Sequence, residues 1–307
     1  MKFGEIENEI LYEVAGLHDV PDGAYNFRIN GRAVGRRSTD NVNIMSKSDV
    51  SGLDIHIKPG AKNAQLHIPV AISASGLSEV VHNEFYIGEG ADAIIVAGCG
   101  IYNCGSSDSI HDGVHRFHIG KGAKIKYIEK HYGFGTGGGG RILNPVTEVF
   151  MDEGSEAILE MEQIKGVDST KRKTTAHLKN GAKLLIRERL LTHGKQRAES
   201  VYKVTLGGDG ATADISSRSV ARDYSEQVFR SRIVGSCRCR GHSECDAIVM
   251  DQARVLAIPS LDALSVEAEL IHEAAIGKIA GEQLLKLMTL GLTIAEAESK
   301  IINGFLR

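Results

Sequence analysis

The chain has 307 residues, of which 42% are hydrophobic and 24% charged, as is typical of a globular protein with one large domain or two ordinary ones. Its net charge of −3 predicts no binding to nucleic acid or to an anionic membrane surface. Without a long apolar stretch or a signal peptide, and with an odd number of cysteines, the sequence favours free thiols in a reducing cytoplasm.

The first predicted element is a short amphipathic helix over residues 5–16, ending at Gly16. Helical periodicity is then absent until about residue 265. We therefore divide the chain into an N-terminal helical segment (1–25), a β core (26–265) and a C-terminal helical domain (266–307).

Within the core, a glycine followed by Ala or Ser recurs every 27 to 32 residues, and each copy precedes alternating apolar and polar residues. Such alternation is typical of a strand with one face inward. The copies begin at Gly60, Gly90, Gly122, Gly154, Gly181 and Gly210, and Gly241 follows at a similar spacing.

A period near 30 residues without helices predicts a mainly β protein: a right-handed parallel β-helix with a short C-terminal α-helical domain. Stacking of coils would bury the apolar face that one coil cannot bury alone, and the glycines suit the corners. The alternative is an antiparallel sandwich, whose hairpins recur more often.

Two helices are predicted after the core. The first spans Ile279 to Leu290 and stops at Gly291, and the second begins with a capping box formed by Thr293 and Glu296. The second helix is expected to end at residues 303–304. We expect the pair to cover exposed strand edges and to offer a docking face.

Three cysteines lie near the end of the core: Cys237, Cys239 and Cys245. Nearby Arg238, Arg240 and His242 are expected to lower the pKa of these thiols and favour thiolates, which bind soft metals and iron–sulfur clusters. The alternative for these cysteines is that they are small core residues.

An acidic segment with one histidine follows the cysteines. If it is a strand, Glu267, Glu269 and Glu273 share one face and His272 lies on the other. Histidine and carboxylates near thiolates serve as ligands or proton acceptors. A solvated acidic edge is the alternative reading.

Two further features have open roles. Cys99 and Cys104 precede a group that includes His111 and His115, but its spacing does not define a metal site. The glycine-rich segment 133–141 lacks the Gly-Lys-Ser/Thr ending of a nucleotide-binding P-loop. The chain therefore has no ATPase motif, and we do not expect it to be an enzyme.

The C-terminal third contains five phrases in a specific order and spacing: Ser243–Ile248, Glu269–Ile279, Glu282–Leu285, Gly291-Leu292 and Ile301–Phe305. In these phrases the chain resembles the SufB/SufD family of iron–sulfur cluster assembly scaffolds, and specifically the compact proteins of minimal SUF systems. The core resembles the family more loosely, through its glycine-punctuated strands.

This resemblance implies a β-helix core whose C-terminal helical domain docks a SufC-type ABC ATPase. It also implies that a nascent, transient iron–sulfur cluster is built at a subunit interface with Cys245, His272 and Glu273. Because one chain carries all three residues, we expect a homodimer that exchanges with sulfur donor and cluster acceptor proteins. Reduced flavin is an open question. The additional candidate ligands are Cys237, Cys239, Glu267 and Glu269.

The alternative function is a secreted-type, carbohydrate-active β-helix enzyme, either a lyase or a hydrolase. Such enzymes need paired carboxylates or a calcium site along a groove.

Overall fold

The computed structural model describes residues 3–307, of which strands make up the larger part, so the protein is mainly β as predicted. The helices are α1 (Glu5–Ala15), α2 (Gly281–Met288) and α3 (Ile294–Phe305). The strands are β1 (Ala24–Ile29), β2 (Arg32–Arg37), β3 (Val42–Ser46), β4 (Gly52–Ile57), β5 (Ala64–Ile72), β6 (Ser78–Ile87), β7 (Asp92–Tyr102), β8 (Ser109–Ile119), β9 (Lys124–Phe134), β10 (Arg141–Leu143), β11 (Val146–Met151), β12 (Glu156–Lys165), β13 (Ser169–Leu178), β14 (Lys183–Thr192), β15 (Arg197–Leu206), β16 (Thr212–Ala221), β17 (Glu226–Gly235), β18 (Cys239–Val249), β19 (Arg254–Ala263) and β20 (Ala268–Gly277).

The strands form two sheets that face each other across a solenoid of about eight turns. Sheet A has the order β2-β1-β5-β7-β9-β12-β14-β16-β18-β20. Sheet B has the order β19-β17-β15-β13-β10-β8-β6-β4-β3, with β11 also pairing β8 and β13. From β4 onward the chain alternates between the sheets, except that β10 and β11 both lie in sheet B. Every pairing along this part of the stack is parallel, which confirms the predicted β-helix.

Glycines make the corners between sheet B and sheet A, as the repeat predicts. Gly90 and Gly122 have φ of 64° and 62°, in the left-handed region that residues with a Cβ rarely adopt. The amide of Gly90 donates to the carbonyl of Lys121, and that of Gly122 donates to Glu153, both at 2.9 Å. These bonds tie each corner to the next coil, so the periodic glycines set the stacking.

Gly241 departs from this pattern because it lies inside β18, not at a corner. A Cβ at this position would stand 2.7 Å from Cγ2 of Ile233 and 2.9 Å from Cδ2 of Leu270. Close packing across the solenoid interior requires glycine here, so Gly241 matches the spacing of the repeat but does not form a corner.

The helix α1 lies on the outer face of sheet A, where Ile10 and Val14 are fully buried against Ala71 and Tyr132. A Cβ on Gly100 would stand 2.4 Å from Cγ2 of Ile10, so this glycine allows the helix to approach the strand. The helix ends before Gly16, as predicted, and Gly16 itself has the left-handed conformation.

The last coil of the solenoid extends to Gly277, so the strands run past the predicted boundary at residue 265. The capping box of Thr293 and Glu296 is present, and α3 ends at Phe305, slightly later than predicted. Ile302 and Leu306 pack against Val220 on the outer face of sheet A, whereas α2 buries no residue.

The two ends of the solenoid differ. Antiparallel hairpins, β1–β2 and β3–β4, complete the sheets at the N-terminal end. At the other end β19 and β20 are edge strands, and α3 lies on the face of sheet A instead of across this edge. The expectation that the C-terminal helices cover the edges is therefore wrong. Each helix in the described part of the chain is too short or too polar to span a bilayer.

Candidate functional site

Cys245 lies on the interior face of β18, one strand from the open end of sheet A. Alternate residues of β18 point inward, and Cys245 is only 1% exposed. Its register partners are Ser217 on β16 and Ala274 on the terminal strand β20. The thiol is thus shielded in this conformation, but only the last coil separates it from the end of the solenoid.

The environment of Cys245 favours the neutral thiol. Burial raises its pKa to about 12, and the carboxylates of Glu188 and Asp246 add to the effect. Burial and neighbouring Cys239 likewise raise the pKa of Cys237. The expectation that basic neighbours lower the thiol pKa is therefore wrong for Cys237 and Cys245, and Arg240 instead pairs with Glu269 on the outer surface.

His272 lies on the same interior face as Cys245. Its register partner on β18 is Ser243, which is fully buried and donates to Oγ of Ser231 across the interior. Paired residues of parallel strands point to the same face, so His272 points inward. Its Nδ1 is buried without a hydrogen-bond partner. A buried imidazole nitrogen without a partner is costly, and this one is free to bind a ligand.

Glu273 and Glu269 lie on the outer face of β20, so the sequence-based split between the acidic residues and His272 is confirmed. The Glu273 side chain is 70% exposed, and its nearest ion-pair partner is Nε2 of His242 at 3.8 Å. Glu267 precedes the strand and is exposed. A single chain therefore brings Cys245 and His272 to one face and leaves Glu273 on the other.

The remaining candidate ligands are distant from Cys245. Cys239 also faces the interior, but six residues along an extended strand correspond to roughly 20 Å. Cys237 lies in the turn before β18, where its Sγ donates to the carbonyl of Leu206 at 3.5 Å. The structure does not bring either cysteine to Cys245.

A row of buried charged residues continues inward from Cys245, and sequence reasoning missed it. Ser217, the register partner of Cys245, donates to Oε2 of Glu188 at 2.7 Å. Arg172 lies 3.9 Å from Glu188 and makes a short ion pair with Glu129. The sequence does contain a signal for this row. Its members are charged residues at inward-facing strand positions, where the alternating pattern predicts apolar core residues.

The Arg172–Glu129 pair is held in its charged form. Burial alone would raise the pKa of Glu129, but the Arg172 guanidinium lowers it below its usual range. Burial alone would also lower the pKa of Arg172, and the Glu129 carboxylate reverses this. A buried ion pair of this kind depends on both partners, because removing one leaves the other charge unpaired.

The histidine group on β8 and β9 belongs to the same interior row. Nδ1 of His111 lies 3.0 Å from Glu79, and Nδ1 of His115 lies 2.6 Å from the hydroxyl of Tyr127. Burial lowers the pKa of His115 and of His131 to about 4, so both are neutral near pH 7. Over residues 3–307, no three His, Cys, Asp or Glu side chains are arranged to hold a metal ion.

Cys99 faces this histidine group across a cavity of about 20 Å³, which has room for one water molecule. Cys104, in contrast, is exposed in a loop. The glycine-rich segment packs on that loop, because Gly137 donates to the carbonyl of Asn103 and Gly139 to that of Gly105. These amides are occupied, in agreement with the prediction that the segment is not a phosphate loop.

Comparisons with known proteins give a consistent result. A family described as "SUF system FeS cluster assembly, SufBD core domain" matches residues 70–305. An Archaeoglobus fulgidus iron–sulfur cluster assembly SufBD family protein is 30% identical over 264 residues, which are 84% of this chain and 69% of that protein. A Pyrococcus horikoshii protein of the same description is 26% identical over 313 residues, or 98% and 94% of the two chains.

A Methanothermobacter thermautotrophicus protein, also named as an iron–sulfur cluster assembly SufBD family protein, is 29% identical over 265 residues. The match covers 85% of this chain but only 63% of that protein.

Proposed function

The chain belongs to the SufBD family of iron–sulfur cluster assembly proteins, and we propose that it is the scaffold on which a nascent cluster is built, at an interface between two copies of the chain. Family membership also favours assembly over the carbohydrate-active alternative. In this proposal the cluster is cargo, and iron and sulfide are delivered to the site before the cluster leaves it.

The observation that carries the proposal is the combination of Cys245 and His272 one coil from an open end. Thiolate sulfur and imidazole nitrogen both ligate iron in iron–sulfur clusters. The unpartnered Nδ1 of His272 is a ligand atom without a structural task in the single chain. Glu273, on the outer face of the same strand, would act at the rim of the site.

Two copies of the chain would meet through the open end. The edge strands β19 and β20 have unpaired backbone groups, which are a template for pairing with another chain. Apolar side chains are exposed around this end: Leu264 at 70%, Val266 at 104% and Ile271 at 53%. Burial of this surface would bring two Cys245–His272 pairs towards each other.

Cluster building requires Cys245 to become accessible, because burial keeps its pKa near 12 in the single chain. We assign this change to a SufC-type ABC ATPase bound at α2, whose Leu285 is 62% exposed and which is followed by Leu290 at 75%. Exposed apolar patches of this kind mark interaction sites. Nucleotide-driven movement of the ATPase would favour an arrangement in which the last coil no longer covers the thiol.

The test is anaerobic reconstitution of Cys245→Ser with ferrous iron and sulfide. The variant should lose the visible absorption and the bound iron of the reconstituted protein, because a hydroxyl is a poor replacement for thiolate. Cys104→Ser, which changes an exposed cysteine in a loop, is the matched control and should retain both. A Cys245→Ser protein with the full cluster content would contradict the proposed site.

A further inference from the structure

Five aromatic side chains form a continuous ladder on the outer face of sheet B. They occupy register-matched positions on successive coils, and their rings are nearly parallel, 7–12° apart, with centroids separated by 4.6 to 5.5 Å. The ladder residues are His56, Tyr86, His118, Phe150 and His177. None of them belongs to the Cys245 site.

A cavity of about 1020 Å³ runs beside this ladder. Part of its floor is glycine: a Cβ on Gly88 would stand 2.3 Å from the nitrogen of Pro59, and one on Gly120 would stand 2.8 Å from the carbonyl oxygen of Ile87. These positions cannot carry side chains without moving the neighbouring coil, so the trough stays open. Its volume is at the upper end of the range for small-molecule sites.

The ladder ends at His177 although the cavity continues. The next register positions are Thr205 and then Val234, and neither supplies a ring. The cavity lining includes both Thr205 and Gly207. Two strand spacings, roughly 9–10 Å, separate the His177 and Val234 positions, which leaves room above the short Thr205 side chain for one flat group.

We propose that a planar, uncharged heteroaromatic ring of the nucleobase type binds at this vacant rung, stacked on the free face of His177. Rings in the middle of the ladder have both faces covered by their neighbours and show only edges to the cavity. The face of His177 towards Thr205 is not covered by a ring, and aromatic rings bind one another best face to face with an offset or edge to face.

The charges around the rung favour an uncharged ring. The nearest cation lining this part of the cavity is Lys179, whose Nζ is already bonded to Oδ1 of Asp152 at 2.7 Å. The Asp152 carboxylate thus neutralises Lys179, which does not call for an anionic group on the ring. This inference is independent of the proposed cluster site, which lies in the interior of the solenoid.

Adenosine is a suitable probe, and its ring-proton NMR signals report stacking directly. Adenosine should bind the wild-type protein with an upfield shift of those signals. His177→Ala removes the stacking face and should weaken binding at least tenfold. Thr205→Phe places a ring of the protein in the vacant rung and should block binding to the same degree. Tyr224→Ala changes a 68% exposed aromatic residue outside the ladder and should bind like wild type.

Cyclohexanol, whose ring is saturated and not planar, serves as the competing ligand and should not displace adenosine. The proposal is overturned if wild type shows no adenosine binding, if the His177 and Thr205 variants both bind normally, or if cyclohexanol competes equally well. Both substitutions are on the outer face, and thermal melting of each variant establishes that it is folded.

Discussion

A stack of coils must expose a strand edge at each end, and the two ends of this solenoid differ in the strands and side chains at that edge. At the N-terminal end, hairpins finish both sheets, and polar side chains lie over them: Arg36 bonds Asn26 at 3.0 Å, and Arg28 pairs with Glu79 at 2.8 Å. At the C-terminal end, β19 and β20 are left beside more strongly exposed apolar side chains, such as Leu264 at 70%, than the N-terminal end, where Val34 on β2 is 41% exposed. Charge on an edge discourages pairing with another chain, whereas an apolar edge invites it.

The interior holds the buried charges in pairs. In the coils away from the open end, Arg172 pairs with Glu129, and His115 contacts the hydroxyl of Tyr127. Some buried polar atoms in those coils, such as Nδ1 of His67 and the hydroxyl of Tyr202, have no hydrogen-bond partner, and neither has Nδ1 of His272 in the last coil. We infer that the paired interior charges supply stability and that the open end is used for assembly.

The largest effect is expected from breaking the buried ion pair. Arg172→Leu leaves the Glu129 carboxylate buried without its cation, and we expect a loss of about 3–5 kcal/mol in the free energy of unfolding. The matched control, Arg240→Leu near the open end, removes a pair whose side chains are 71% and 65% exposed, and it should cost about 0–1 kcal/mol. Urea denaturation measures both. Equal losses would contradict the division of the molecule into a stabilising interior and an assembly end.

Charges at the open end should prevent self-association. Leu264→Lys combined with Val266→Lys should weaken the proposed dimer at least 100-fold, about 2.8 kcal/mol, because like charges and lost apolar burial oppose pairing. Sedimentation of a concentration series measures this dissociation constant. Val34→Lys, on β2 at the N-terminal end, is the control and should leave the dimer intact. The open end is not the interface if the double variant still dimerises normally.

Acid should destabilise the interior of the solenoid. The pKa of His115 is lowered to about 4 from an ordinary value near 6.5, so between these values the unfolded chain binds the proton and the folded chain does not. The free energy of unfolding therefore falls as the pH drops from 6.5 towards 4, by on the order of 2 kcal/mol for this residue. Denaturation at several pH values measures the slope, and His115→Phe should make it shallower. A slope unchanged in that variant would show that His115 is not the titrating group.

The smallest effect is expected at His272. Because its Nδ1 makes no hydrogen bond in the single chain, His272→Phe should lower the free energy of unfolding by no more than about 0.5 kcal/mol. The same substitution at His115 breaks the 2.6 Å contact with Tyr127 and should cost about 1–3 kcal/mol. Thermal or urea unfolding of the two variants gives the comparison. A large loss at His272 would mean that this residue has a structural task within the chain.

Local signals in the sequence were sufficient for most of the fold. The spacing of the corner glycines, such as Gly90 and Gly122, required left-handed backbone at fixed intervals, and the alternation after them required strands. Gly16 and the Thr293 capping box fixed helix ends, since such motifs act within a few residues. The last strand, β20, was assigned to the helical domain, because the order of its apolar and polar residues does not show where the β core ends.

The candidate site was only partly predictable. The opposite parity of His272 and Glu273 followed from the geometry of any strand, and the structure confirms it. The raised pKa of Cys245 did not follow from its sequence neighbours alone, because burial by the walls of the solenoid is its largest cause and Glu188, distant along the chain, adds to the effect of Asp246. The ladder from His56 to His177 was invisible for the same reason, since its members are about 30 residues apart.

By itself, the sequence determined the period of the coils, the faces of the strands and the ends of the helices, because these depend on local backbone conformation and on alternation along one strand. Tertiary structure alone decided which inward residues meet across coils, and so placed Arg172 beside Glu129 and left His272 without a partner. It also decided that one end finishes in antiparallel hairpins and the other in parallel edge strands. The physical reason is that burial and charge pairing depend on neighbours brought together by stacking, and the order of residues along the chain does not contain those distances.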